Sequence, residues 1–153
     1  MFADMLLVLF FVGLGTAIPV DPPEPPPKPE PVAKPEIVGM ETKPVSLNIR
    51  VNADALISKN QTARKQARQA VADATRQLRK KDAQAALVLV FGGGETAVMG
   101  QQVASALYPE LNPAAKSIFP KGTPYRSFWD GGLPYGDVRV EVFLFTTEKA
   151  DSP

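Results

Sequence analysis

Asp4 is the residue whose setting most suggests chemistry. It heads a run from Met5 to Ile18 that carries no other charge and is mostly Leu, Val, Phe, Met, Gly and Ala. A carboxylate in an apolar medium is costly in its charged form, and protonation removes that cost. A lone acid on such a run is therefore a functional-site candidate by default. Thr16 is the other polar side chain of the run and the candidate polar neighbour of Asp4. Bond chemistry has less to work with. The chain has no His and no Cys, so the commonest general base, the thiol nucleophile and thiolate metal sites are excluded. An enzyme would need an acidic pair such as Glu95 and Asp130 to converge. The expectation is a protein that is not an enzyme and holds no metal or cofactor.

Two further stretches have suggestive spacing. Gly92-Gly93-Gly94-Glu95-Thr96-Ala97 follows an apolar run and loosely fits a dinucleotide fingerprint. Glu95 would repel a pyrophosphate, and too little chain follows for a long βαβ array. The plain reading is a tight strand-to-helix turn. Residues 119–136 form a stretch rich in Pro and Gly that holds Tyr125, Phe128 and the single Trp, Trp129. Aromatics on such a loop suit partner binding, and they equally suit packing of the loop onto its own core.

The elements that must position these residues can be read in order. A helix over residues 1–18 would be about 27 Å long at about 1.5 Å per residue, close to the ~30 Å hydrocarbon core of a bilayer. Proline occupies nine of the seventeen positions from Pro19 to Pro35, which excludes helix and sheet and leaves an extended tether. The expected divisions are a transmembrane helix (1–18), a Pro-rich linker (19–44), a compact α/β domain (45–147) and a disordered tail (148–153). In the domain, Val45, Leu47, Ile49 and Val51 alternate with Ser46, Asn48 and Arg50, which predicts a half-buried strand. Ala55-Leu56-Ile57 reads as a short returning strand. Asn60 or Thr62 can cap a helix running to about Lys81, with an Ala-rich apolar face at Ala63, Ala67, Ala70, Val71, Ala74 and Leu78. Its other face is basic: Arg64, Lys65, Arg68, Arg76, Arg79, Lys80 and Lys81. With a net charge of +1 this predicts a solvated face rather than a nucleic-acid surface. Ala86 to Phe91 is apolar on both faces and therefore a central strand. An apolar helix follows through Val98, Val103, Ala106 and Leu107. From Pro109 the chain reads as irregular, until a last strand over Asp137 to Thr146. The fold class is α/β, a small mixed sheet with two helices.

Phe2-Ala3-Asp4-Met5-Leu6-Leu7-Val8-Leu9-Phe10-Phe11 resembles the single transmembrane helix of the MotB/ExbD/TolR family, the B subunits of ion-driven stators. Asp4 matches the family's ion-carrying aspartate. The order of an Asp-headed span, a Pro-rich tether and a small α/β domain is similar as well. The ending Asp137-Val-Arg-Val-Glu-Val is similar to the last strand of OmpA-like peptidoglycan-binding domains. Those domains hold their ligand with an Asp after the central strand and an Arg in the next helix. Here Glu95 and Gln101 or Gln102 stand there, so the ligand pair is not matched.

The resemblance implies a single-pass protein of the bacterial inner membrane with its C-terminal domain in the periplasm. It would form a homodimer and assemble with a multi-span A-type subunit. Proton or sodium flow through Asp4 would be coupled to work on a periplasmic load, with Tyr125, Phe128 and Trp129 in partner contact and the cell wall or another periplasmic protein as possible loads. The alternative expectation is a cleaved signal peptide, with Gly15 and Ala17 near the cleavage site, followed by a periplasmic binding module without ion transport.

Overall fold

The computed structural model describes residues 39–146. The expected span, most of the linker and the tail lie outside the described residues, as do Asp4 and Thr16. The described chain forms four strands, β1 (Val45–Arg50), β2 (Ala85–Gly93), β3 (Tyr125–Asp130) and β4 (Asp137–Leu144). Its helices are α1 (Ala53–Ile57), α2 (Gln61–Ala74), α3 (Arg76–Lys80) and α4 (Ala97–Ala114). The strands make one mixed sheet in the order β1-β4-β2-β3. β4 is antiparallel to both β1 and β2, and β2 runs parallel to β3. The β2–α4–β3 passage is thus the single parallel crossover, and α4 is the helix that such a connection requires.

Sequence alternation decides which side of the sheet is covered. Leu47, Ile49, Val88, Val90, Val138, Val140, Val142 and Leu144 are all buried. They meet Ala67 and Val71 of α2 and Val103, Ala104, Leu107 and Leu111 of α4 in one cluster. Each such Val or Leu removed from water contributes about 1.5–3 kcal/mol, which is enough to fix the register, because a one-residue slip would turn all of them outward. The apolar β2 lies between β4 and β3, as an interior strand should. The two main helices and the mixed sheet agree with the expected fold class.

Four local expectations are corrected. Ala55-Leu56-Ile57 is not a strand but the body of α1. The Asn52 side chain accepts from the Ala55 N–H (3.2 Å) and caps this turn, which buries Leu56. The helix expected up to Lys81 is interrupted at Thr75, a fully buried residue whose hydroxyl donates to the Val71 carbonyl (2.8 Å). The hydroxyl shares that carbonyl with Thr75's own N–H (2.9 Å), back-bonding of a kind that bends helices, and α2 gives way to α3 here. The chain is not irregular from Pro109, since α4 continues through Pro109 and Pro113 to Ala114. Both prolines are exposed, so the carbonyls they leave without a partner can reach water. Burial of Leu107, Glu110 and Leu111 on the other side then outweighs a proline cost of about 3 kcal/mol. The aromatic stretch is not all loop either: Tyr125 to Asp130 is β3.

The three glycines after β2's apolar run have a packing reason. A Cβ on Gly92 would lie 2.0 Å from the Gly100 carbonyl oxygen, and a Cβ on Gly100 would lie 2.4 Å from that of Gly92. The backbones of β2 and α4 touch there. Thr96 then starts α4 as its N-cap, accepting from the Met99 N–H (3.3 Å).

Candidate functional site

Three groups of polar or aromatic side chains stand out on the domain. The first lies between α2 and α4. Counting on from Val103 and Leu107 brings Glu110 onto the buried side of α4, and its side chain is 2% exposed. A lone carboxylate there would be very costly. Two arginines one turn apart on α2 resolve this: Arg64 Nε donates to Oε1 (2.6 Å) and Arg68 Nε to Oε2 (2.5 Å). Both oxygens are thereby occupied by charge-assisted bonds. The terminal Nη groups of the two arginines have no acceptor among the described residues. Beside this cluster runs an open groove of about 640 Å³. Its walls are apolar at Leu56, Ile57, Val98 and Pro109, and Arg64, Lys59, Gln101 and Gln102 add polar groups. An apolar wall beside guanidinium and ammonium groups suits a chain segment that carries a carboxylate.

The expectation of a uniformly solvated basic face is therefore corrected in part. Arg64 and Arg68 turn toward Glu110, whereas Arg76 pairs with Asp73 (2.7 Å) in solvent and Arg79 reaches the Ala72 carbonyl. Glu110 was missed in the sequence because Pro109 suggested the end of the helix. Its spacing of three from Leu107 and seven from Val103 was the available signal.

The second group is β3, which brings Tyr125, Phe128 and Trp129 together on one strand but on two faces. Tyr125 stacks on Tyr108 of α4 with ring centroids 3.3 Å apart. The Trp129 indole N–H donates to the Gly94 carbonyl (2.8 Å). Ser127 between them meets Ser105 of α4 (3.2 Å). These three point to the helical side. Phe128 points to the other, where it stacks on Phe91 at 5.2 Å. All three aromatics keep roughly two fifths of their surface exposed.

The third group lies on that uncovered side. The Arg139 guanidinium spreads over the Phe91 ring (4.9 Å) and pairs with Asp130 (2.9 Å), while its Nε stands 3.5 Å from Glu141. Asp130 also accepts from the Gly132 N–H (2.8 Å). Both of its oxygens are thus engaged, and Glu95 is exposed. Among the described residues no group of three His, Cys, Asp or Glu could hold a metal, and no helix is long and apolar enough to cross a membrane. In the loop between β3 and β4, the Tyr135 hydroxyl donates to Asp54 (2.7 Å). This bond, reinforced by desolvation and by the nearby negative charge, raises the Tyr135 pKa above 10.0.

No protein-family model matches this sequence, and no curated protein matches it either.

Proposed function

We propose that this chain is the single-span subunit of an ion-driven stator, and that the α/β domain is the part that engages the load. The observation that carries this reading is the order of parts in the sequence. Asp4 heads an uncharged run as far as Ile18, nine prolines fall between Pro19 and Pro35, and a domain with its own core follows. Asp4 would take a proton or sodium ion from one side and release it to the other within a multi-span partner. Neutralising the carboxylate removes its desolvation penalty and so changes how the helix sits against that partner. Thr16 would lie along the same path. The domain would dimerise beyond the tether and meet the cell wall or a periplasmic protein, with Tyr125, Phe128 and Trp129 available for contact.

The test is the intact mass of protein purified from membranes in mild detergent, followed by Asp4→Asn. A full-length mass, a co-purifying multi-span protein, and an Asp4→Asn complex that assembles but conducts no ions are the expected results. A mass short of about seventeen N-terminal residues would mean a cleaved leader and would end the ion-carrier reading.

A second reading is a secreted or anchored binding module without ion transport. The groove beside Arg64 and Glu110 favours it, because that groove offers a ligand site whatever the N-terminus does. On this reading Asp4→Asn leaves function unchanged.

A further inference from the structure

The geometry points to a homodimer in which the β3 strands of two copies pair antiparallel about Phe128, joining the two sheets into one. This rests on β3 alone, and it supplies an interface for the dimerisation proposed above.

β3 is an edge strand, and no described strand pairs with its outer side. It contains no proline from Tyr125 to Asp130. Unpaired edges of this kind are templates for another strand. The phase of its backbone follows from the ladder with β2. The Val88 N–H donates to the Pro124 carbonyl (2.9 Å), and in a parallel pair successive residues aim their polar groups to opposite sides. Arg126, Phe128 and Asp130 therefore direct theirs toward β2. Tyr125, Ser127 and Trp129 direct theirs outward, to where a second strand would lie.

A two-fold axis normal to the sheet places residues of the same face opposite one another. With the axis at Phe128, Ser127 meets Trp129 of the second copy, and these are outward-directed residues that exchange backbone hydrogen bonds on both sides of the axis. Phe128 meets its own counterpart, beside the existing stack with Phe91. Arg126 meets the second copy's Asp130, twice by symmetry, as a second cation on a carboxylate that already pairs with Arg139 (2.9 Å). Opposite charges facing across strands favour a register, and like charges oppose it. Moving the axis to Ser127 or Trp129 breaks both Arg–Asp pairs. Moving it to Arg126 or Asp130 sets like charges face to face. The strand is thus self-complementary in one register, which is what an isologous interface requires. The exposed parts of Tyr125 and Trp129 would be covered by the same association.

The chain contains no Cys, so single-cysteine variants of the full chain in mild detergent read the register directly. Phe128 on the axis is a non-hydrogen-bonded pair, with Cα atoms about 4.5 Å apart, within the span of a disulfide. Mild oxidation of Phe128→Cys is expected to give a covalent dimer as the main product, and Arg126→Cys much less of it. Arg126→Asp, an exposed change, is expected to weaken dimerisation at least tenfold by light scattering with unchanged circular dichroism. A wild-type chain that stays monomeric, a crosslink stronger at Ser127→Cys than at Phe128→Cys, or a dimer indifferent to Arg126→Asp would each overturn the proposal. The same crosslink is expected in an Asp4→Asn chain, so failure of the ion-carrier reading and failure of the interface are distinguishable.

Discussion

The two sides of the sheet are built from the same four strands and solve different problems. The covered side is a continuous hydrocarbon layer. Val88, Val90, Val140 and Val142 are all fully buried there under α2 and α4. Its one charged intruder, Glu110, is neutralised by two arginines. The uncovered side has no helix over it among the described residues. Leu89, Phe91, Phe128 and Phe143 are interleaved with Arg139, Glu141 and Asp130, and the side chains cover one another: ring on ring, guanidinium over ring, carboxylate on guanidinium. An apolar residue inside a layer is held by the whole layer. One on an open face is held by a few neighbours and keeps part of its surface in water.

This contrast can be broken at graded cost. The largest effect is expected from Leu107→Ala on the covered side, which should lose about 2–5 kcal/mol of unfolding free energy in urea titrations of the full chain. The matching change on the open face, Phe91→Ala, should lose clearly less. Equal losses would mean that the open face is covered by something else. Next comes Glu110→Gln, which keeps the shape but strands two guanidiniums. Because Arg64 and Arg68 are about a third exposed and can turn to water, the loss should be about 2 kcal/mol rather than the 3–5 kcal/mol of a fully enclosed pair. A variant as stable as wild type would show that the cluster contributes nothing to the covered layer.

The smallest effect belongs to Tyr135→Phe, outside both faces. The bond to Asp54 needs the protonated phenol, and the folded-state pKa lies above the unfolded 10.0. Its contribution is therefore complete below pH 10 and is lost as pH rises through the raised value. Tyr135→Phe should cost no more than about 1 kcal/mol at neutral pH. The gap to wild type should close at strongly alkaline pH. A gap that persists there would mean that the hydroxyl acts by packing rather than by its proton.

The parts of the fold that were legible in the sequence are those with unbroken periodicity. The alternation at Leu47 and Ile49 and at Val138 to Leu144 marked which faces are buried, and the continuous apolar run of β2 marked it as an interior strand. The Ala face of α2 was legible for the same reason. The misread segments are those where one residue type carries a strong local preference. Pro109 suggested a helix end, Asn52 to Asp54 suggested a turn between strands, and the prolines and glycines around β3 suggested a loop. At Pro109, packing against the rest of the chain outweighed a local cost of about 3 kcal/mol; Asn52 instead caps α1, and the prolines and glycines flank β3 without entering it. The arginines show the limit most plainly, since nothing local separates Arg64 and Arg68 from Arg76 and Arg79.

By itself, then, the sequence determined the composition of the parts: a charge-poor run headed by Asp4, a proline tether, strands and helices with defined apolar faces, and chemistry without His or Cys. Those properties are local, because periodicity and residue type act over one or two turns. Only the tertiary structure decided which long-range partners meet. Glu110 finds two arginines 46 and 42 residues away in the chain, Gly92 touches Gly100 backbone to backbone, and the aromatics of β3 divide between two faces. Such pairings depend on how the β2–α4–β3 crossover lays the helix on the sheet, and no window of neighbouring residues carries that information.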